Sequence, residues 1–276
     1  MQDLYNRKIT YMRLSVTDRC NYRCPYCMPP DADSHKDPLS FDKLYNVCKA
    51  GVACGIKKIR ITGGEPLTRD GIVDFCAKIS KLDGLEDLAI TTNGYFLQEY
   101  AQQLFNAKVN RLNISIDTLD KEKYTQITKH GDLDKVLLGI KSAIECGFKN
   151  IKINVVLIKG FNDNEISDFV ELTKDNDVCI RFIELMPTHN SAFDYSSFMP
   201  CSDVLKIVPK LKKVSFDNVT EIYKIDGYKG SVGLIRPISS SFCDKCNRIR
   251  ITSDGKLKPC LHSDDEYALT TSDVDM

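Results

Sequence analysis

Short β-branched runs recur along the first two-thirds of the chain, and between them apolar residues return every three or four positions. Period-two runs of that kind mark strands, and a 3.6-residue period marks one face of a helix. The runs predict strands at Tyr11–Val16, Lys58–Ile61, Leu88–Thr91, Arg111–Ile116, Ile151–Leu157 and Val178–Ile183. Among the intervening stripes, Leu44, Val47, Cys48 and Val52 follow an N-cap residue at Ser40 and stop near Gly55. Ile72, Phe75, Cys76 and Ile79 form a second stripe. Leu133, Val136, Leu137, Ile140 and Ile144 form a third, closing at Gly147.

Strands alternating with helices predict βαβ units and a parallel sheet. Six such units give an α/β fold, either a partial (β/α)6 barrel of the triosephosphate-isomerase type or a doubly wound sheet. Both place their sites at the C-terminal ends of the strands. Polar and glycine-rich clusters follow the strands at Thr17–Cys27, Thr62–Pro66, Thr91–Gly94, Asp117–Thr118 and Lys159–Gly160, as a top-face site requires. From about residue 190 the segments shorten and turn strand-like, as at Val219–Ile225 and Ser231–Ile235. The chain therefore divides into a barrel over residues 1–190 and a small C-terminal extension over 191–276.

With 276 residues, 42% of them apolar, the chain is long enough for that architecture. Its 38 basic and 38 acidic side chains cancel, so no global field recruits nucleic acid or an anionic membrane. A local basic pocket for a phosphorylated small molecule stays compatible with this balance. No apolar run is long enough to span a bilayer, and the first residues lack a signal-peptide core, so a cytoplasmic address is expected. In a reducing compartment, twelve cysteines point to metal or catalysis rather than bridges. Cys48, Cys54, Cys76, Cys146, Cys179 and Cys201 stand alone and read as small hydrophobes. The other six form two sets of three.

The first set, Cys20, Cys24 and Cys27, is a CxxxCxxC loop directly after the first strand. Three thiolates on one loop leave one iron of a 4Fe–4S cube open, and an open position is the mark of a catalytic metal. That position suits the amino and carboxylate groups of S-adenosylmethionine, whose one-electron cleavage yields a 5′-deoxyadenosyl radical. A zinc site is the competing reading, but no second CxxC pair lies nearby. Gly63-Gly64-Glu65-Pro66 after the second strand supports the cluster, because glycines admit close backbone approach. The second set is Cys243-Asp-Lys-Cys246 with Cys260. With His262 it also spells a Cys₃His zinc site, and spacing alone leaves both metals open. Beside it, Arg248 and Arg250 share one strand face and suit a phosphate or another planar anion. His35, His130, His189 and His262 join no catalytic constellation, and no side chain is assigned a catalytic proton transfer.

Several segments carry a closer resemblance. Tyr11-Met-Arg-Leu-Ser-Val-Thr-Asp-Arg-Cys20, Lys58-Ile-Arg60-Ile-Thr-Gly-Gly-Glu-Pro66, Thr91-Thr-Asn-Gly94, Leu112-Asn-Ile-Ser115-Ile-Asp117, Lys152-Ile-Asn-Val-Val156, Arg181-Phe-Ile-Glu-Leu-Met186 and Cys243–Arg250 are in the family's order. From about residue 4 to 262 the chain resembles the MoaA family, the radical S-adenosylmethionine GTP 3′,8-cyclases of molybdenum cofactor biosynthesis. The resemblance implies a lyase that converts GTP to 3′,8-cyclo-7,8-dihydro-GTP. It implies two 4Fe–4S clusters, one on Cys20, Cys24 and Cys27 and the other on Cys243, Cys246 and Cys260. It further implies S-adenosylmethionine contacts from Tyr26, Gly64, Ser115 and Met186. GTP contacts are implied for Arg13, Arg60, Thr91, Lys152, Arg181, Arg248, Ile249 and Arg250. Its implied partners are an electron donor such as flavodoxin or ferredoxin, the downstream cyclic pyranopterin monophosphate synthase, and a second copy in a homodimer.

One departure is plain. Family members run several dozen residues further and end in Gly-Gly, whereas this sequence ends in Asp-Val-Asp-Met276. The expectation is that S-adenosylmethionine cleavage persists while cyclisation falls. Two other functions stay open: radical maturation of a peptide or small molecule with an auxiliary cluster, and a non-catalytic metal-binding remnant.

Overall fold

A computed structural model describes residues 1–27, 37–186, 195–217 and 219–269. All six expected strands form: β1 (Tyr11–Ser15), β2 (Lys58–Thr62), β3 (Asp87–Thr92), β4 (Arg111–Ser115), β5 (Ile151–Leu157) and β6 (Val178–Glu184). They lie side by side in chain order, each parallel to the next. Consecutive strands pair in parallel only across long crossovers, which here are helical. Those are α1 (Phe41–Ala53), α2 (Ile72–Ile79), α3 (Leu97–Asn106), α4 (Lys121–Thr128), α5 (Leu133–Glu145) and α6 (Ile166–Asp175).

Three of these six helix starts follow side-chain capping chemistry. Ser40 accepts a hydrogen bond from the Lys43 N–H at 3.3 Å, as its position before α1 requires. Asp120 and Asp132 cap α4 and α5 in the same way. The stripe on α5 differs from the expected one: Leu133, Val136, Gly139, Ile140 and Ala143 are buried, while Leu137 and Ile144 are each 39% exposed. Here α5 lies close against α3, where a Cβ on Gly139 would sit 3.0 Å from Leu97 Cβ. Small residues centre the contact, so the large ones at its margin face water.

Strand alternation separates two faces. Met12, Leu14, Ile59, Ile61, Leu112 and Ile114 are buried in the core that the helices share. The opposite parity carries Arg13, Arg60, Thr91, Asn113, Lys152 and Arg181, which therefore face the barrel interior. Polar residues on that face reserve it for a ligand.

The later strands are β7 (Lys212–Asp217), β8 (Thr220–Lys224), β9 (Ser231–Ile235), β10 (Arg248–Ile251), β11 (Lys256–Lys258) and β12 (Tyr267–Ala268). They join the same sheet at both flanks: β9 pairs parallel with β6, and β10 pairs parallel with β1. The order is β12-β11-β10-β1-β2-β3-β4-β5-β6-β9-β8-β7, and its edges do not meet, so the barrel is partial. Residues 236–247 run from the β9 flank to the β10 flank. The expected boundary at residue 190 and the last residues, 270–276, lie outside the described residues. Among the described residues no helix is long and apolar enough to cross a membrane.

Candidate active site

The cysteine loop leaves β1 and is fastened at both ends by carboxylates, Glu65 and Asp117, to which sequence alone assigns no role. Gly64 N–H donates to the Thr17 carbonyl and Glu65 N–H to the Arg19 carbonyl, both at 2.8 Å. A Cβ on Gly64 would lie 2.1 Å from the Arg19 carbonyl oxygen, so only glycine fits beside this loop. Glu65 is buried and accepts from Leu67 N–H at 3.0 Å, Thr92 Oγ1 at 2.8 Å and Asn93 N–H at 2.6 Å. Burial pushes its carboxyl up to about 7, against those hydrogen bonds, which favour the charged form. Asn93 Nδ2 in turn donates to Asn21 Oδ1 at 2.8 Å, inside the cysteine loop. At the other end, Tyr26 OH donates to Asp117 Oδ2 at 2.5 Å, while Asp117 Oδ1 accepts from Val156 N–H at 2.9 Å. Asp117 is buried, which pushes its carboxyl up to about 6. Tyr26 also packs with Ile127 of α4 and with Val156, Ile158 and Leu185 at the ends of β5 and β6.

Three soft donors thus stand on one turn, with Cys27 N–H bonded to the Cys24 carbonyl at 3.0 Å and Cys20 Sγ accepting from Tyr22 N–H at 3.4 Å. Burial raises the Cys20 thiol to about 11, and it raises Cys24 and Cys27 as well, with the Asp117 charge adding to both of the latter. All-thiol ligation without a hard donor fits an iron–sulfur cluster. Among the described residues no group of three or more His, Cys, Asp or Glu side chains is placed to hold a single metal ion.

The second cysteine set lies on the same flank but at the other end of the strands, ahead of β10, which pairs in parallel with β1. Cys243 and Cys246 belong to a 3₁₀ turn in the segment that crosses between flanks, and Arg7 Nη1 donates to the Cys243 carbonyl at 2.9 Å. Burial would raise the Cys246 thiol, but hydrogen bonds from Arg248 and the Arg248 and Arg7 charges take it below its ordinary value. Arg250, brought down to about 10 by burial and then by Arg248, is offset by Cys260 and Cys246. So β10 sets the second thiols beside the arginines. Glu184, at the end of β6, anchors the start of this crossing segment by accepting from the N–H groups of Ile238 at 3.0 Å and Ser239 at 2.9 Å.

Between the two cysteine sets the interior face is basic. Register puts Arg250, Arg13 and Arg60 side by side on β10, β1 and β2. One level on, Thr91, Asn113, Lys152 and Cys179 align across β3 to β6. Burial lowers Arg13 well below its usual range, and the like charges of Arg250, Arg60 and Arg248 lower it further. Lys152 falls to about 8 through burial and then the Arg181 and Arg111 charges. The Nε atoms of Arg13, Arg60 and Arg181 and the Thr91 hydroxyl are buried without a hydrogen-bond partner. Buried donors without acceptors are costly, and this many on one face call for an anion. Ile249 points the other way, opposite Met12 in register and against the core, so it offers only backbone to the interior. Ser115 ends β4 in register with Asn154 of β5, and Met186 is half-buried two residues beyond β6.

Some residues escaped the sequence reading. Arg111 faces the same interior, gripped through two nitrogens by Asp87, with Nε–Oδ1 at 3.0 Å. Its parity with Asn113 and Ser115 was the available signal. The solitary cysteines split: Cys48, Cys76 and Cys201 are buried as expected, but Cys54 is exposed. His35 and His189 lie outside the described residues.

The Radical SAM superfamily profile matches residues 14–173, and the Molybdenum Cofactor Synthesis C profile matches residues 178–272. A GTP 3′,8-cyclase from Peptoclostridium acidaminophilum is 51% identical over 275 residues, covering 97% of this chain and 85% of that protein. The chain belongs to the GTP 3′,8-cyclase family of radical SAM enzymes. Another member, from Alkaliphilus oremlandii, is 50% identical over 272 residues, covering 96% of this chain and 85% of that one. Among solved structures, Streptococcus suis SuiB bound to S-adenosylmethionine superposes with a TM-score of 0.69 at 16% identity, covering 98% of this chain and 64% of SuiB. A histidine-tagged anSMEcpe with bound AdoMet gives 0.64 at 14% identity, covering 96% of this chain and 79% of that one. These two share the radical SAM fold. Membership carries an S-adenosylmethionine-binding 4Fe–4S cluster.

Proposed function

We propose that this protein is a GTP 3′,8-cyclase acting in molybdenum cofactor biosynthesis, and that it holds GTP in the basic barrel interior. The observation that supports it best is the set of buried, unpartnered guanidinium Nε atoms of Arg13, Arg60 and Arg181, which lie below the cysteine loop. A triphosphate brings acceptor oxygens to several fixed donors at once, which suits these planar forks. Arg13, Arg60, Thr91, Lys152 and Arg181 hold the phosphates and ribose, while Arg248, Arg250 and the Ile249 backbone lie toward the base. Tyr26, Gly64, Ser115 and Met186, at the strand ends above, hold S-adenosylmethionine.

When bound, the first cluster supplies the one-electron cleavage of S-adenosylmethionine that defines the superfamily. The chain's own residues fix the two small molecules relative to each other and keep water out. Glu65 and Asp117 act by position, holding the cysteine loop against β3 and β5. Cys243, Cys246 and Cys260 hold a second 4Fe–4S cluster at the guanine end. Their all-thiol set beside Arg248 fits that group, and iron and sulfide analysis reads it directly: about eight irons for two clusters, about four for one. The proposed partners are a flavodoxin- or ferredoxin-type donor and the synthase that consumes the cyclised nucleotide. A homodimer is proposed as the assembled form.

The test is incubation of anaerobically reduced protein with GTP and S-adenosylmethionine. 5′-Deoxyadenosine together with a cyclised nucleotide is the expected result. 5′-Deoxyadenosine without any GTP-derived product would overturn the cyclase reading.

A further inference from the structure

Two carboxylates stand against the interior cations, and they are set at different distances. Asp87 grips Arg111 through both of its oxygens. Asp217, the last residue of β7, stands further off: its Oδ2 lies 3.6 Å from Lys152 Nζ and 4.0 Å from Arg181 Nη2. Those separations are beyond a normal hydrogen bond, so the attraction to these two cations is Coulombic and easily exchanged. The Asp217 side chain is 46% exposed, whereas those of Lys152 and Arg181 are 13% and 7% exposed. The hairpin of β7 and β8 therefore brings a carboxylate from the solvent side onto two enclosed cations. Below it, Arg181 Nε stays buried without a partner. A carboxylate at this distance offsets charge without satisfying the donors. Moreover, among the described residues β7 is the edge of the sheet, paired with β8 alone.

We propose that Asp217 is a specificity-determining residue, a tethered competitor for the phosphate chain that only a polyphosphate displaces from Lys152 and Arg181. A terminal phosphate carries about −1.5 to −2 charge and three acceptor oxygens, so it outcompetes one carboxylate held at these separations from the two cations. A nucleoside, or an anion of low charge, does not recover the same exchange. The residue thereby raises the charge an entering ligand must carry. This rests on the reading of the interior as a nucleotide site, although its test does not need the nucleotide.

The experiment measures inorganic tripolyphosphate, inorganic phosphate and GTP binding to cluster-loaded, anaerobic protein by calorimetry. A buffer more acidic than the Lys152 value of about 8 keeps that side chain protonated. Asp217→Asn removes the charge, and Asp217→Glu keeps it. Asp226→Asn, at the far end of the hairpin where Asp226 pairs with Lys212, is the control. Tripolyphosphate is expected to bind Asp217→Asn about five- to tenfold tighter than wild type, as for loss of one like charge near a partly enclosed anion. Inorganic phosphate, which starts from weaker binding, should gain by no larger a factor, since repulsion by the carboxylate grows with the charge of the ligand. Asp217→Glu and Asp226→Asn should bind as wild type does. Asp217→Ser, run alongside, must move with Asp217→Asn, which keeps the test informative if one variant folds poorly. Unchanged or weaker tripolyphosphate binding in both neutral variants overturns the proposal. If tripolyphosphate responds as expected while GTP binds no tighter than tripolyphosphate, the guanine nucleotide reading fails and the competitor stands.

Discussion

Replacing Arg13 with Met removes a guanidinium from a place where the empty protein strains to hold it. Its Nε is buried with no acceptor, and the Arg250, Arg60 and Arg248 charges all oppose its own. One buried unsatisfied donor costs about 1–3 kcal/mol, to which the like charges add, while Met keeps the stem that packs in the barrel. A net stabilisation of about 2 kcal/mol is expected without ligand. For a chain of this size that is a rise in melting temperature of about 3–4 °C. Anion binding should move the other way. Loss of a charge-assisted hydrogen bond of about 1.5–3 kcal/mol weakens GTP roughly 10- to 150-fold. The assay pairs anaerobic melting curves at one fixed scan rate with GTP titrations, on protein of equal iron content. A variant that melts lower than wild type yet binds GTP equally well would refute the reasoning. Arg13 would then be a satisfied structural residue.

Two further outcomes follow from the same geometry. Cys24→Ser should abolish 5′-deoxyadenosine formation and lower the iron content, because an alkoxide poorly replaces a thiolate on iron, whereas Cys48→Ala, inside the packed face of α1, should leave both in place. The pH dependence of stability should carry the mark of Glu65: with a folded value of about 7 against 4.5 unfolded, the folded state keeps a proton that the unfolded chain has lost between those values. Stability therefore falls as pH rises from about 4.5 to about 7 and is flat above it; Glu65→Gln should remove that slope, and an unchanged slope in denaturation curves across the window would show that Glu65 is not its source.

The first six strands were legible because β-branched residues alternate within short runs and glycines punctuate them. Arg13, Arg60, Lys152 and Arg181 were named through the family resemblance alone, and that they share one parity of those strands is what the structure adds. Of the α5 stripe, Leu133, Val136 and Ile140 were legible but its margin was not, since α5 meets α3 at Gly139, which carries little hydropathy. Glu65, Asp117 and Glu184 are isolated acidic residues whose work is to accept backbone N–H groups from distant loops, and no local period encodes that. The same holds for β10. Its arginines could be paired with a phosphate from sequence, but its place beside β1 could not, because that register joins segments at opposite ends of the chain.

That register also sets a timetable. Asn247 Nδ2 donates to Thr10 Oγ1 across 237 residues of sequence, and β10 covers the flank of β1 only after both have been made. At a synthesis rate of about 5–20 residues per second, β1 waits about 12–50 s for its neighbour. Through that interval the earliest strand is an open edge, guarded against pairing with other chains by the charge of Arg13. The cysteine loop that follows β1 leaves the ribosome as early as β1 does, whereas Cys243, Cys246 and Cys260 arrive around the strand that covers that flank. The order in which the two thiol sets appear is thus written into the direction of translation, and the flank beside the first strand is covered last.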